Sequence, residues 1–221
     1  MSNTLQKSIQ IPFLDIQDTP LPFVPDVFKK NNVAYHSISV VNWMDFPYLP
    51  TTQFAMVYSS NTIILHFKVE EDEVRGFVTE DFGPVSTDSC VEFFACMGQD
   101  DLYYNIECNC LGYITMAIRK TRNEKEYATS EIVRTIKRYT TFGPKSIGEI
   151  TKKISWHCVL EIPFAAFFRH NIANLSGQTV RANFYKCGGS NAYKHYVSWN
   201  PIECEKPDFH RPECFGMIHF E

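Results

Sequence analysis

The 221-residue chain lacks the features that mark several large function classes. No apolar run approaches the roughly 20 residues of a membrane-spanning helix. There is no basic stripe: Lys and Arg are scattered and the formal net charge is −4, which argues against a nucleic-acid partner. The first residues, Met1 to Ser8, show no charged-then-apolar leader pattern, so a cytoplasmic protein is expected. Internal repeats and low-complexity segments are absent. The two-residue gap between cysteines that zinc knuckles use is missing too. No local signature pairs a Cys with a His for nucleophilic catalysis.

What the chain does have is apolar and aromatic bulk. Hydrophobic residues make up 44%, and 18 Phe, 11 Tyr and 3 Trp supply large core side chains. Eight cysteines are present, several on apolar strand faces, where a free thiol behaves as a small hydrophobe. With no export pattern, they are expected to be mostly reduced.

Short alternating segments with turn residues between them predict an all-β fold. Residues 1–34, broken by Pro12, Pro20, Pro22 and Pro25, read as an extended arm on a domain spanning 35–221. Strands are expected at 36–41, 54–58, 62–69, 75–78, 90–96, 103–110, 112–119, 131–139, 154–162, 180–187 and 215–220. Residues 43–50 read as an aromatic loop, 70–73 as an acidic turn, 121–128 as a loop and 163–170 as a short helix. Residues 188–214 read mostly as loop. The pattern is that of an antiparallel β-sandwich with one or two short helices.

The central hairpin is the informative stretch. Side chains alternate faces along a strand. In 103–110, Tyr104, Ile106, Cys108 and Cys110 therefore share a face suited to a core. Tyr103, Asn105, Glu107 and Asn109 share the other. In 180–187, Arg181, Asn183, Tyr185 and Cys187 again put charge, amide and aromatic on one face. If the two strands are neighbours, one sheet surface carries all of these, and Glu92 can join them. Such a surface suits sugars: acid, amide and guanidinium groups bond hydroxyl pairs, and an aromatic ring packs against a pyranose C–H face. A solvated sheet face, common in antiparallel sheets, is the plain alternative. The loop Pro207-Asp-Phe-His-Arg-Pro-Glu-Cys-Phe-Gly216 adds Phe209 and His210 as stacking or bonding groups. Equally, its aromatics could plug the sandwich end.

Several blocks occur together in order: Asp88-Ser-Cys-Val-Glu-Phe-Phe94, Tyr103-Tyr-Asn-Ile-Glu-Cys-Asn109, Ala182-Asn-Phe-Tyr185, Ser198-Trp199 and Phe209-His-Arg-Pro-Glu-Cys-Phe-Gly216. Over residues 35–221 the chain resembles carbohydrate-binding module family 9, and within it the stand-alone proteins of Bacteroides-type bacteria. The resemblance implies a DOMON-like, jelly-roll-like sandwich that binds a sugar without cutting it. No cofactor is expected, although the resemblance adds that a structural calcium is known among family members. By the same resemblance Glu92, Asn109, Asn183 and Tyr185 bond sugar hydroxyls and Phe209 stacks. Arg181, Glu107 and His210 are further contacts. The chain departs from the family where a stacking Trp falls near Val85, and where a central-strand Arg is replaced by Glu107. Trp199 matches a family Trp whose neighbours suit packing.

Other chemistries stay open on the residues alone. Glu92 and Glu107 could act as a hydrolytic pair. Cys108 and Cys110 with Cys187, Cys204, Cys214, His195 or His210 could bind zinc. Met56, Met116 or His66 could ligate a haem. A module that meets another protein through its polar face is the main rival to sugar binding.

Overall fold

The structure, a computed structural model, describes residues 6–221. In chain order the strands begin with β1 (Ser8–Ile11), β2 (His36–Ser37), β3 (Val40–Val41), β4 (Thr51–Tyr58) and β5 (Thr62–Gly76). The central group is β6 (Ser89–Cys96), β7 (Tyr103–Asn109), β8 (Ile114–Arg119) and β9 (Lys125–Tyr127). The last are β10 (Lys137–Thr140), β11 (Gly148–Pro163), β12 (Thr179–Gly188), β13 (His195–Ser198) and β14 (Gly216–Phe220). The α-helices are α1 (Val24–Lys30) and α2 (Ser130–Thr135).

The strands form two sheets, the β-sandwich the alternation predicts. The larger runs β1-β14-β12-β6-β7-β8-β9, with β13 and β3 continuing beside β12. The smaller runs β10-β11-β5-β4-β2. Between them lies the main core, where Phe54 stacks on Phe184 at 3.6 Å and Trp156 and Phe93 are buried. Each sheet is also covered on its outer face. The arm's Val24 and Phe28 pack on Ala55, Val57 and Ile64 of the smaller sheet. Trp43, Phe209 and Phe215 pack on Phe94, Tyr103 and Tyr185 of the larger one. A strand covered on both faces shows no exposed side, and every residue of β6 is buried.

Several expectations are corrected. Strands 103–110 and 180–187 are not neighbours, because β6 runs between them and pairs with both. Residues 70–73 do not turn: β5 continues through them to Gly76, absorbing the strand expected at 75–78. Its inward acids are compensated. Glu71 pairs with Lys186 at 2.8 Å and accepts the Trp156 indole N–H at 2.7 Å, while Glu73 accepts the backbone N–H groups of Ala192 and Tyr193. Residues 131–139 open as helix α2, because the Thr129 hydroxyl caps its first turn by accepting from Ile132 N–H. The arm is not simply extended. Pro25 sits in the first turn of α1, where no intrahelical N–H is needed, and Asp26 and Lys29–Lys30 suit the helix dipole. Strand β9 lies in the loop expected at 121–128, and β13 in that expected at 188–214. Of the helix expected at 163–170, one 3₁₀ turn forms over Phe164–Ala166.

All eight cysteines are free thiols in the structure. Among the described residues, no helix is long and apolar enough to cross a membrane.

Candidate functional site

The outer face of the larger sheet is built from three cross-strand rows. In the central row Glu92 stands opposite Glu107 on one side and Tyr185 on the other. The next row toward the β6–β7 turn is Asn183–Phe94–Asn105, and the row beyond Glu92 is Cys187–Cys90–Asn109. Alternation places all nine side chains on one face.

Residues 200–215 close over this face and are held by their own contacts. Phe209 stacks on Tyr185 at 4.2 Å with rings 12° from parallel, and the Tyr185 hydroxyl donates to the Phe209 carbonyl. His210 stacks on Phe94 and bonds the Tyr103 hydroxyl through Nδ1 at 3.1 Å. The Trp43 indole donates to the Cys204 carbonyl. What the loop leaves uncovered is a cavity of about 280 Å³, near the lower end of the ~300–1,000 Å³ usual for ligand sites. Glu92 and Glu107 line it together with Phe209, His210 and Tyr196. Arg122 and Asp208, paired at 3.0 Å, line it as well, as do Ser86 and Thr87. Cys187, Pro207 and Gly189 complete the lining; a Cβ on Gly189 would lie 2.7 Å from the Ser86 carbonyl, so the turn after β12 fits only without a side chain.

The two carboxyl groups differ in support. Glu107 accepts from the Asn105 amide at 2.8 Å, and Asn105 accepts from Arg119 Nε at 2.5 Å. Burial raises the Glu107 pKa, while Arg119 and the Asn105 bond pull it back. Glu92 is 3% exposed and accepts from the Cys187 thiol at 3.2 Å. Burial, then Cys187 and Glu107, push its pKa well above the ordinary carboxylate range. Side by side in a poorly hydrated site, the pair resists double ionisation. His210 has its pKa held down to about 3 by burial and by Arg119 and Arg122, so it presents a neutral ring. The site therefore offers hydroxyl-bonding acids on a rigid sheet beside aromatic surface.

Of the residues expected from sequence, Glu92, Glu107, Phe209 and His210 are brought together here. The others are corrected. Asn109 spends its amide on Asp88 and the Val78 carbonyl and its oxygen on Leu111 and Tyr113 N–H, pinning the β7–β8 turn. Asn183 is consumed by Asn200 and by Phe184 N–H. Tyr185 is fully buried beneath Phe209. Arg181 donates to the Pro212 carbonyl, outside the cavity lining. Trp199 packs against Phe54 and Phe184 in the main core. Sequence reasoning missed Arg122, Asp208, Tyr196 and Thr87, which come from four separate loops or edges. Asp208, next to Phe209, was the one with a visible signal.

Calcium takes six to eight oxygen ligands. Among the described residues, the one group of three candidate ligands is Cys90, Glu92 and Cys187. Two thiols and one carboxylate do not fit calcium. Cys108 and Cys110 lie in the inter-sheet core, with Cys108 against Cys158 at 3.7 Å, and form no such group.

The profile of carbohydrate-binding family 9 matches residues 22–220. A protein of Bacteroides uniformis, provisionally described as carbohydrate-binding, shares 36% identity and superposes with a TM-score of 0.94. That likeness covers 98% of this chain and 100% of the other. A family 9 module from Caldicellulosiruptor kristjanssonii, solved in complex with glucose, has a TM-score of 0.63 at 12% identity, over 97% of this chain and 96% of its own. A structure of a family 9 module from the same organism with cellotriose gives 0.60 at 11% identity, over 97% and 94%. No curated protein matches the chain.

Proposed function

The chain belongs to carbohydrate-binding family 9, and we propose that it binds saccharides by taking one sugar ring into the cavity between Glu92, Glu107 and Phe209. The observation that carries this reading is the pair of facing carboxyl groups under an otherwise aromatic and polar lining. Each can accept from a hydroxyl, and a protonated one can also donate, so the pair matches two neighbouring hydroxyls. Arg122 and Asp208 supply a donor and an acceptor for a third. Phe209 gives one ring face to Tyr185 and is 8% exposed, so it offers a wall rather than an open platform. The cavity has room for one ring, which favours a free sugar or a chain end. On the 36% identity to the Bacteroides uniformis protein over 98% of this chain, we also infer a Bacteroides-type member with a DOMON-like sandwich.

The test is a glycan array followed by titration calorimetry, with glucose and cellotriose among the probes. Glu92→Gln is expected to weaken binding about 10- to 100-fold, the loss of a charge-assisted hydrogen bond of roughly 1.5–3 kcal/mol. No binding to any glycan by folded wild type would sink the proposal and favour a protein-interaction module.

A further inference from the structure

Beneath one end of the same cavity two strands bring soft ligands together. Cys90 and Cys187 are directly opposed on β6 and β12, and Glu92 lies two residues along from Cys90 on the same face. One sulfur from each cysteine and one Glu92 oxygen all lie within 4.8 Å of one another. Cys90 is inaccessible, whereas Cys187 and Glu92 line the cavity, which gives an ion a path in. Tetrahedral zinc with Zn–S of about 2.3 Å and Zn–O of about 2.1 Å would separate a sulfur and an oxygen by roughly 3.6 Å. Cys187 Sγ and Glu92 Oε1 are 3.2 Å apart, a few tenths of an ångström from that spacing.

We propose that Cys90, Cys187 and Glu92 form a binding site for a thiophilic divalent cation such as Zn²⁺, with its fourth position open to the cavity. The site goes beyond saccharide binding and does not require it. Thiolate with one carboxylate is a donor set for zinc rather than calcium or magnesium. The electrostatics supply the motive. Buried charge is normally paired or metal-bound. Here two thiols and two carboxyl groups converge, while Arg119 is engaged by Asn105 and the Arg122 carbonyl, and Lys186 by Glu71. A divalent ion would displace the two thiol protons and the carboxyl proton of Glu92 to solvent and bind the two thiolates and the carboxylate. Because the cysteines bind a metal as thiolates, uptake releases protons and is expected to strengthen with pH.

The test uses the full chain, reduced with a phosphine and titrated with Co²⁺ in the absence of sugar. The expected result is one equivalent bound, with a thiolate-to-cobalt charge-transfer band that Zn²⁺ removes, and a melting temperature raised by Zn²⁺. Cys187→Ser should abolish the band, and Glu92→Gln should weaken binding at least tenfold. Both should keep the wild-type circular dichroism. The double variant Cys204→Ser, Cys214→Ser, at the loop thiols outside this cluster, should keep the band. Absence of a stoichiometric band in folded wild type would overturn the site. So would a band that survives in Cys187→Ser or disappears in the loop double variant. Because the readout needs no saccharide, its failure and a failure of sugar binding are separately visible.

Discussion

Glu71 and Glu92 are the same residue type, both on strand interiors and both almost inaccessible, yet they sit in opposite environments. Glu71 faces the inter-sheet core. Lys186 meets it at 2.8 Å as an ion pair, while the same ammonium donates to the Cys187 carbonyl and to His195 Nε2. The Trp156 indole completes the set. Glu92 faces outward under the loop that ends in Phe215. It has one thiol donor and another carboxyl group beside it. Burial alone therefore does not separate a structural acid from a binding one; compensation does. A carboxylate with a buried cation against it is already compensated, while one without a cation beside it can still be compensated by a ligand.

That contrast can be broken most forcefully at Lys186. Lys186→Met leaves Glu71 buried without its cation and is expected to cost about 3–5 kcal/mol, read from urea denaturation. Adding Glu71→Gln should recover much of the loss, because the stranded charge is removed. A cost below about 1 kcal/mol would erase the distinction between the two acids. Next in size is Phe209→Ala. It removes a nearly buried ring stacked on Tyr185 and is expected to cost about 3 kcal/mol and to weaken saccharide binding together with stability. Unchanged binding in this variant would remove Phe209 from the site.

Acid sharpens the comparison from another side. His66 and His210 each have a folded pKa of about 3, lowered first by burial. Such a group is neutral in the fold but takes a proton when unfolded. Its stabilising effect is present above the ordinary value of about 6.5 and is lost as pH falls from there toward 3. The slope should approach 1.4 kcal/mol per pH unit for each histidine, visible as a falling melting temperature. Glu92 and Glu107 have the opposite sign, since their raised folded pKa values favour the fold below those values and oppose it as pH rises through them. The two signs offset each other in wild type, so the histidines are read in the double variant Glu92→Gln, Glu107→Gln, whose melting temperature should fall from pH 6.5 to 4; a flat profile there would contradict the histidine assignment. The smallest effect is expected from Glu107→Gln. Its carboxyl is already tethered through Asn105 to Arg119, so saccharide affinity should change only about three- to tenfold.

The sandwich was legible because its central strands alternate cleanly, as in 154–162, where Trp156, Cys158, Leu160 and Ile162 all prove buried. The site was legible in part. Glu92, Glu107, Phe209 and His210 line one cavity, the polar face and adjoining aromatic loop that were read as one surface. Asn109 and Asn183 look identical to them in a strand pattern, but their amides hold loops in place, and alternation carries no information about which loop will arrive. The place of the strand expected at 90–96, between 103–110 and 180–187, was not legible for a related reason: buried on both faces, β6 gives no alternation to place it. Lys186 and Glu71 were hidden by distance, since nothing local in a run of acids at 70–73 reveals a cation on a strand beginning at Thr179. Helix α2 was misread because β-branched residues favour strands, and a single Thr129 cap outweighed them.

The most direct measurement is the pair of melting temperature and saccharide affinity for Glu92→Gln, using the glycan that wild type binds best. Replacing an underpaired buried acid by its neutral isostere should leave the melting temperature equal to wild type or higher, while affinity falls about tenfold or more. A lower melting temperature with undiminished affinity would make Glu92 a structural group like Glu71 and contradict the account.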